Sequence, residues 1–394
     1  MSATSSSTYD IVVVGLGGIG SASACWAASR PGVRVLGLEQ FALDHPHGAS
    51  DDVSRIIRLS YHRPDYVRLA RRAYATWAEI EDLTGVRIVT RTGGLDFFPP
   101  GSAIASADYA DSMTVVGVPF DALETGEVAR RWPQWRIPDD TLTLYQADSG
   151  IADPSVANAA HRRLAMEAGA SLREHARVTA IRDIGGELAV ETAAGDRISA
   201  GRVILATDAW TNDLLASLDI ELPLTVTQEQ VAWFEPVDPA AYAPERFPIW
   251  IWMDDPSFYG FPTHAAQGPK IGQDVGGREV TPATRTYDPD PDALARLDAF
   301  RDRHLPGLGG RVRAKTCLYS LTPDRDFVLD LVPDHPGVVV VLGAAHAYKY
   351  ASVMGRIAVE LALDGATGSA EDIEAFTIER TALRDRNRVA RFLV

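Results

Sequence analysis

Apolar residues run unbroken from Ile11 to Val14, give way to glycines and an Ala-rich segment, and run again from Val33 to Leu38. Runs of this length suit buried strands, so the opening predicts strand, turn, helix and strand. From Asp65 the spacing changes to one apolar position every three or four residues. Tyr66, Leu69, Ala73, Trp77 and Ile80 form one stripe, which predicts an amphipathic helix ending at Gly85. Short strands around Gly93 and Gly94 follow between Arg87 and Phe98, then a mixed stretch holding Trp132, Pro133 and Trp135. Val156 to Ala168 predicts a helix, Ser171 to Val178 a strand, ELAVETAAGDRISAG a meander, and RVILATDAW another strand. From Leu222 to about Thr316 the segments VTQEQVAWFEP, FPIWIWM and SFYGFP are β-rich and aromatic, as the floor of a small-molecule pocket would be. A helix with loops is predicted between Asp288 and Leu305, and VVVVLGAAHAYKYASVMGRIAVELAL predicts a buried strand, a Gly-Ala turn and a closing helix.

The glycines of the first break, Gly15, Gly17 and Gly20, stand in G-x-G-x-x-G order after a strand and at the head of a helix, and the second strand stops at Glu39. Gly15 suits a tight turn, Gly17 close approach of backbone to a pyrophosphate, and Gly20 close packing of helix on strand. The helix N-terminus offers N–H groups and a positive dipole end to that pyrophosphate. Glu39 stands where a carboxylate meets the hydroxyls of an adenosine ribose and repels an extra phosphate. The meander before the last parallel strand is an interruption that a continuous NAD domain does not need and that flavin-binding Rossmann domains commonly contain. The predicted fold class is therefore α/β: a Rossmann-type FAD-binding domain with a β-meander, plus an interleaved α+β substrate domain on a mixed sheet. With no linker or repeat in view, the first domain is expected to be discontinuous, over 1–90, 146–221 and 317–394, and the second to take 91–145 and 222–316.

A chain of 394 residues with 46% apolar content supports two or three units around a sizeable core. A net charge of -15 argues against nucleic acid and anionic membrane as partners, and requires local cations to capture an anionic substrate. Only Cys25 and Cys317 are present, so a disulfide framework is not expected, and the histidines show no metal-ligand spacing. The opening MSATSSST carries no basic-then-apolar leader, and no apolar run is long enough to cross a bilayer; a cytoplasmic location is the expectation. Of 38 cationic side chains only Lys270, Lys315 and Lys349 are lysines. In so Arg-biased a chain they mark places where a compact, tunable ammonium is needed, or else are chance retentions. Arg55 and Arg58, at i and i+3 in the loop after Glu39, would share one side of a helical turn or point to opposite faces of a strand. Surface salt bridges and an anion-binding arginine cluster beside the phosphate loop both fit them.

Together VVVGLGGIG, SRIIRLSY, RRWPQW, RVILATDAWTNDLL, YGFP followed by PKIG, TCLYSLTPDRDFVLD and GAAHAYKYAS, in this order, resemble the monomeric sarcosine oxidase family of flavoenzymes within the D-amino-acid oxidase superfamily. The resemblance runs nearly end to end. It implies FAD, dioxygen as electron acceptor, hydrogen peroxide as product, and a secondary amine on a carboxylate-bearing amino acid as substrate. It implies cofactor contacts from the glycine turn (Gly15, Gly17, Gly18, Ile19, Gly20), from Glu39 and Gln40, from Ser50, Ser54 and Arg55, and from Val178, Trp210 and Lys349. For Cys317 it implies a covalent bond to the isocyclic ring of the flavin, against the alternative of a buried free thiol. Lys270 matches the lysine that promotes reaction with oxygen, Lys349 and Arg58 match a clamp on the substrate carboxylate, and Arg55 matches an arginine beside the flavin ring. Tyr259 and Tyr319 match pocket-lining tyrosines, and His346 is read either as reaching flavin or product or as making a structural hydrogen bond. Two positions depart from the family pattern. Asp274 stands where the sarcosine-type enzymes carry a histidine, which favours a cationic amine or hydroxyl groups and leaves fructosyl amino acid or cyclic imino acid (pipecolate-type) oxidation open. Asp208 replaces a glycine. An NAD-dependent dehydrogenase and a non-catalytic flavoprotein are the rival readings, and a monomer or small homo-oligomer is expected.

Overall fold

The computed structural model describes residues 8–385, so residues 1–7 of the polar opening lie outside the described residues. Thr8–Val14 is the central strand of an eight-stranded sheet, parallel to Val35–Leu38 on one side and Arg197–Leu205 on the other. Its side chains alternate between two cores. Ile11 and Val13 pack with the helices, and Val12 and Val14 with the meander side. Burial on both faces is why no polar alternation marks this strand. Val14 lies level with Leu38 and Leu205, and Leu205 with Val340 of the strand His335–Leu342. Gly15, Glu39, Ala206 and Gly343 therefore come together at the carboxyl edge of the parallel strands, where open α/β sheets bind ligands. The helix Gly18–Ala28 lies against the helix Ala351–Asp364 closely enough that a Cβ on Gly355 would come 2.7 Å from Ala22 Cβ.

A second, nine-stranded sheet includes Gly94–Phe98, Leu142–Gln146, Thr225–Pro236, Ile249–Trp252, Ser257–Phe261, Lys270–Asp274 and Leu308–Leu321. It is mixed, because Ile249–Trp252 runs parallel to Gly94–Phe98 while its other pairings are antiparallel. Its core is aromatic, with Phe97, Trp135, Phe234, Trp250 and Phe300 all buried. A three-stranded sheet of Arg55–Ile57, Gly150–Ala152 and Val89–Arg91 completes the strands named here. Among the described residues no helix is long and apolar enough to cross a membrane.

The stripe from Asp65 is the helix Pro64–Thr84, closed by Gly85 in the left-handed region at φ 69°. Val156–Ala168 begins earlier, as Pro154–Glu167, because Asp153 caps it through the Val156 N–H at 3.1 Å. Ser171–Val178 is two strands rather than one. Ser171–Arg173 extends the parallel sheet beside Val35–Leu38, His175 turns the chain at φ 53°, and Val178–Asp183 opens the meander. Conversely, the end of the meander and the strand after it are one element, Arg197–Leu205, which stops before a short 3-10 turn at Asp208–Trp210. Arg55 lies in a strand, the second of the two geometries open to it and Arg58.

Candidate active site

One cavity of about 380 Å³ runs between the carboxyl edge of the first sheet and the face of the second. All the site residues named from sequence line it except Gly20. Gly20 is buried behind the turn, where an added Cβ would lie 1.8 Å from the Gly15 carbonyl oxygen. Its task is packing.

At one end Glu39 is buried, accepting from the Leu16 N–H at 2.9 Å and the Phe41 N–H at 3.1 Å, with His45 Nε2 at 3.3 Å. Burial works to raise its pKa, but these donors outweigh it and hold the carboxyl below its usual range. Gln40, Val178 and Trp210 share this end. The glycine turn follows. Gly15 stands at φ 86°, and an added Cβ there would lie 2.5 Å from the Ala206 carbonyl oxygen. A Cβ on Gly17 would lie 3.0 Å from Ser50 Oγ, which accepts the Gly18 N–H at 3.0 Å. Ile19 completes this wall at the start of the helix.

The middle of the cavity collects charge. Lys270 is 2% exposed and donates to Asp52 Oδ2 at 2.8 Å, Ser54 O at 3.0 Å and Ser54 Oγ at 2.5 Å. Asp52 Oδ2 also takes Arg55 Nη1 at 3.0 Å. Burial brings the Lys270 ammonium down to about 8 against the opposing pull of Asp52, and Asp52 itself is driven well below the carboxylate range by Lys270 and Arg55, although burial opposes this. Cys317, on the strand Leu308–Leu321, is a thiol pushed up to about 11 by burial, with Arg55 acting the other way. Lys315, two positions earlier on that strand, reaches Asp51 Oδ2 at 2.6 Å and also lines the cavity. All three lysines of the chain thus face one space.

At the far end Tyr259 and Tyr319 meet through their hydroxyls at 3.4 Å. Arg58 is buried; its Nη1 donates to Asp96 Oδ1 at 3.1 Å, and its guanidinium lies 4.7 Å from the Tyr61 ring centroid. Its Nε is buried without a partner. Among the described residues Lys349 pairs with no carboxylate, unlike Lys270 and Lys315. Burial and the neighbouring Arg58 bring it down to about 7. Asp274 is not a lone carboxylate, since Arg325 Nη2 lies 3.2 and 3.3 Å from its two oxygens. His346 makes the structural bond, Nε2 to the Arg325 carbonyl at 2.8 Å, while still lining the cavity. Asp208 carries its side chain at φ 45°, with Oδ2 buried without a partner and burial raising the carboxyl to about 6.

Sequence reasoning passed over Asp52, Asp96, Arg325 and His45. Asp52 and Asp96 left a trace: an acid three residues before Arg55, and a charge inside the apolar strand LDFF. Arg325 and His45 left none.

The residues present fit a dinucleotide. The glycine turn, an acid buried at one end and the helix N-terminus stand in line, and at Gly15 and Gly17 a Cβ would crowd the neighbouring wall. The family model for FAD-dependent oxidoreductases matches residues 10–361. A monomeric sarcosine oxidase from Streptomyces avermitilis is 37% identical over 377 residues, 92% of this chain and 95% of that protein. An N-methyl-L-tryptophan oxidase from Salmonella arizonae is 31% identical over 365 residues, 90% of this chain and 95% of its own. Among solved structures, NikD, an amino acid oxidase of nikkomycin biosynthesis in its open form, is 30% identical with a TM-score of 0.83, covering 94% of this chain and 97% of its own. The chain belongs to the family of FAD-dependent oxidoreductases.

Proposed function

We propose that this oxidoreductase acts on the secondary amine of an N-substituted amino acid, of the sarcosine or N-methyl amino acid type, giving an imine and reducing dioxygen to hydrogen peroxide. The observation that carries this reading is Lys349, which pairs directly with no carboxylate among the described residues and stands in the wall that also holds Lys270 and Cys317. FAD, held by the glycine turn, Glu39, Ser50 and Arg55 and joined to Cys317, would supply the acceptor that takes two electrons from the carbon beside nitrogen and passes them to dioxygen.

The protein's own groups do the rest. Arg58 is already compensated by Asp96, and Asp274 by Arg325, so a single substrate carboxylate neutralises the remaining charge on Lys349. Arg58 lines the same space and contributes the second charge-assisted contact to that carboxylate. Lys270 and Arg55 share the one carboxylate of Asp52, and the positive charge left over disfavours a protonated substrate amine; the neutral amine is the form that can lose hydride. Lys270, fixed and desolvated, stabilises negative charge as it arrives on dioxygen. Tyr259 and Tyr319 are kept as neutral hydroxyls by burial and offer a donor and an acceptor toward the amine.

Fructosyl amino acids are the second reading, resting on Asp274. With Arg325 bound to that carboxylate, hydroxyl groups would have to share it, which lowers the rank of this alternative. Pipecolate-type substrates stand behind it, and the nicotinamide alternative gives way to the family assignment. The deciding experiment is anaerobic bleaching of the flavin by sarcosine, N-methyl amino acids, pipecolate and fructosyl amino acids in turn. Failure of every carboxylate-bearing amine would reject the carboxylate clamp.

A further inference from the structure

The Lys270 ammonium makes three hydrogen bonds, to Asp52 and to the carbonyl and hydroxyl of Ser54, and the rings of Phe261 and Trp233 lie 4.2 and 5.6 Å from it. Asp52 is itself clasped: Oδ2 is shared with Arg55, and Oδ1 accepts the Val53 N–H at 2.7 Å. We propose that Asp52 is a positioning residue: by bridging Lys270 and Arg55 it holds Lys270 in the charged, immobile form that reaction with dioxygen requires. The last clause rests on the function proposed above, whereas the holding of charge does not.

The neighbours of Lys270 make the assignment specific. Around the ammonium stand one carboxylate (Asp52), one guanidinium (Arg55), one thiol (Cys317) and two apolar rings. The thiol is neutral near pH 7, because burial lifts it to about 11. Asp52 is therefore the only group here whose charge favours the ammonium, against burial and Arg55 acting together. The next residue back, Asp51, pairs with Lys315 at 2.6 Å, so the two adjacent acids each tie one strand of the second sheet to the loop beside the glycine turn.

The chain offers an unusual way to test this, since 13C or 15N labelling of lysine yields only three side-chain signals. In the holoenzyme the Lys270 signal, assigned by its loss in Lys270→Met, should sit in the ammonium range at pH 7. In Asp52→Asn its titration should fall by about one to three pH units; Asp51→Asn, which removes the acid bound to Lys315, should leave the Lys270 titration in place. Asp52→Glu, which keeps the charge, should restore most of the Lys270 titration and serves if the Asn variant does not fold. Stopped-flow reoxidation of Asp52→Asn at pH 7 should slow toward the Lys270→Met rate, with substrate KM unchanged. An amine-range Lys270 signal in the wild type, or an unmoved titration in Asp52→Asn, overturns the proposal. A moved titration with unchanged reoxidation overturns its link to dioxygen alone.

Discussion

At the scale of single residues, three charges with different partners divide the work: Lys270 is held, Arg58 is compensated, and Lys349 is unpaired. Each makes a separable prediction. Lys270→Met should slow reoxidation by about 2.7–4 kcal/mol of barrier, the usual loss for one preorganised donor, and should leave substrate reduction of the flavin near its original rate in anaerobic stopped flow. Lys349→Met should weaken substrate binding by about 1.5–3 kcal/mol, the size of a hydrogen bond to a charged group, measured as a raised Kd for anaerobic bleaching. Asp96→Ala should cost about 3–5 kcal/mol of stability by denaturant unfolding, because it leaves the buried Arg58 guanidinium without its counterion. Arg58 and Lys349 could be singled out from sequence because each sits in a recognisable run, SRIIRLSY and AHAYKY. The groups that neutralise Arg58 and Asp274 could not be matched to them. Asp96 and Arg325 lie 38 and 51 residues from the groups they neutralise, and such pairing is a property of the folded chain alone.

At the scale of elements, the glycine turn and its helix behave as one rigid piece. Gly20→Ala would drive a Cβ into the Gly15 carbonyl, so the variant should lose cofactor and melt lower, by at least the 1–3 kcal/mol typical of overpacking. A second element-level effect depends on pH. His161, in the helix Pro154–Glu167, is buried against Trp77 with Nε2 3.2 Å from Ser352 Oγ, and burial lowers its pKa to about 3. Its folded value lies below the ordinary 6.5, so the unfolded chain takes up the proton first and stability is lost as pH falls from about 6.5 toward 3. Replacing His161 with Leu should flatten that part of the stability curve by up to about 4 kcal/mol, seen in urea unfolding at several pH values. Elements of strong period were legible: the stripe from Tyr66 to Ile80 and the glycine-punctuated opening stand where expected. The break at Glu174–Arg177 was not, because Leu172, Ala176 and Val178 keep the same parity on both sides of the turn and only pairing with different neighbours separates the two strands.

At the scale of the whole molecule, the cavity is a seam between two sheets, and residues from both are needed to close it. A ligand filling that seam binds the folded chain alone, so stripping it from Cys317→Ser protein should lower the melting temperature; re-adding FAD at a hundred times its Kd should restore about 2.7 kcal/mol. The same variant separates attachment from binding. Acid precipitation should leave colour with the wild-type polypeptide and release it from Cys317→Ser, and colour released from both would remove the Cys317 bond while keeping FAD. The family was legible because motifs survive as strings. The charge balance of the seam was not, because it is made by contacts across more than two hundred residues, such as Lys270 with Asp52.

The placement of the lysines also bears on handling. Since Lys270, Lys315 and Lys349 all line the crevice, the ε-amines of the described residues gather there, with Lys270 buried and Lys315 keeping 19% of its side chain exposed. Succinimidyl dyes, glutaraldehyde and amine-reactive resins will therefore find few side-chain anchors, and capture of Lys270 reports that the reagent has entered the seam. Supports meant to immobilise this protein in working form should be chosen to react with carboxylates, which it carries in excess.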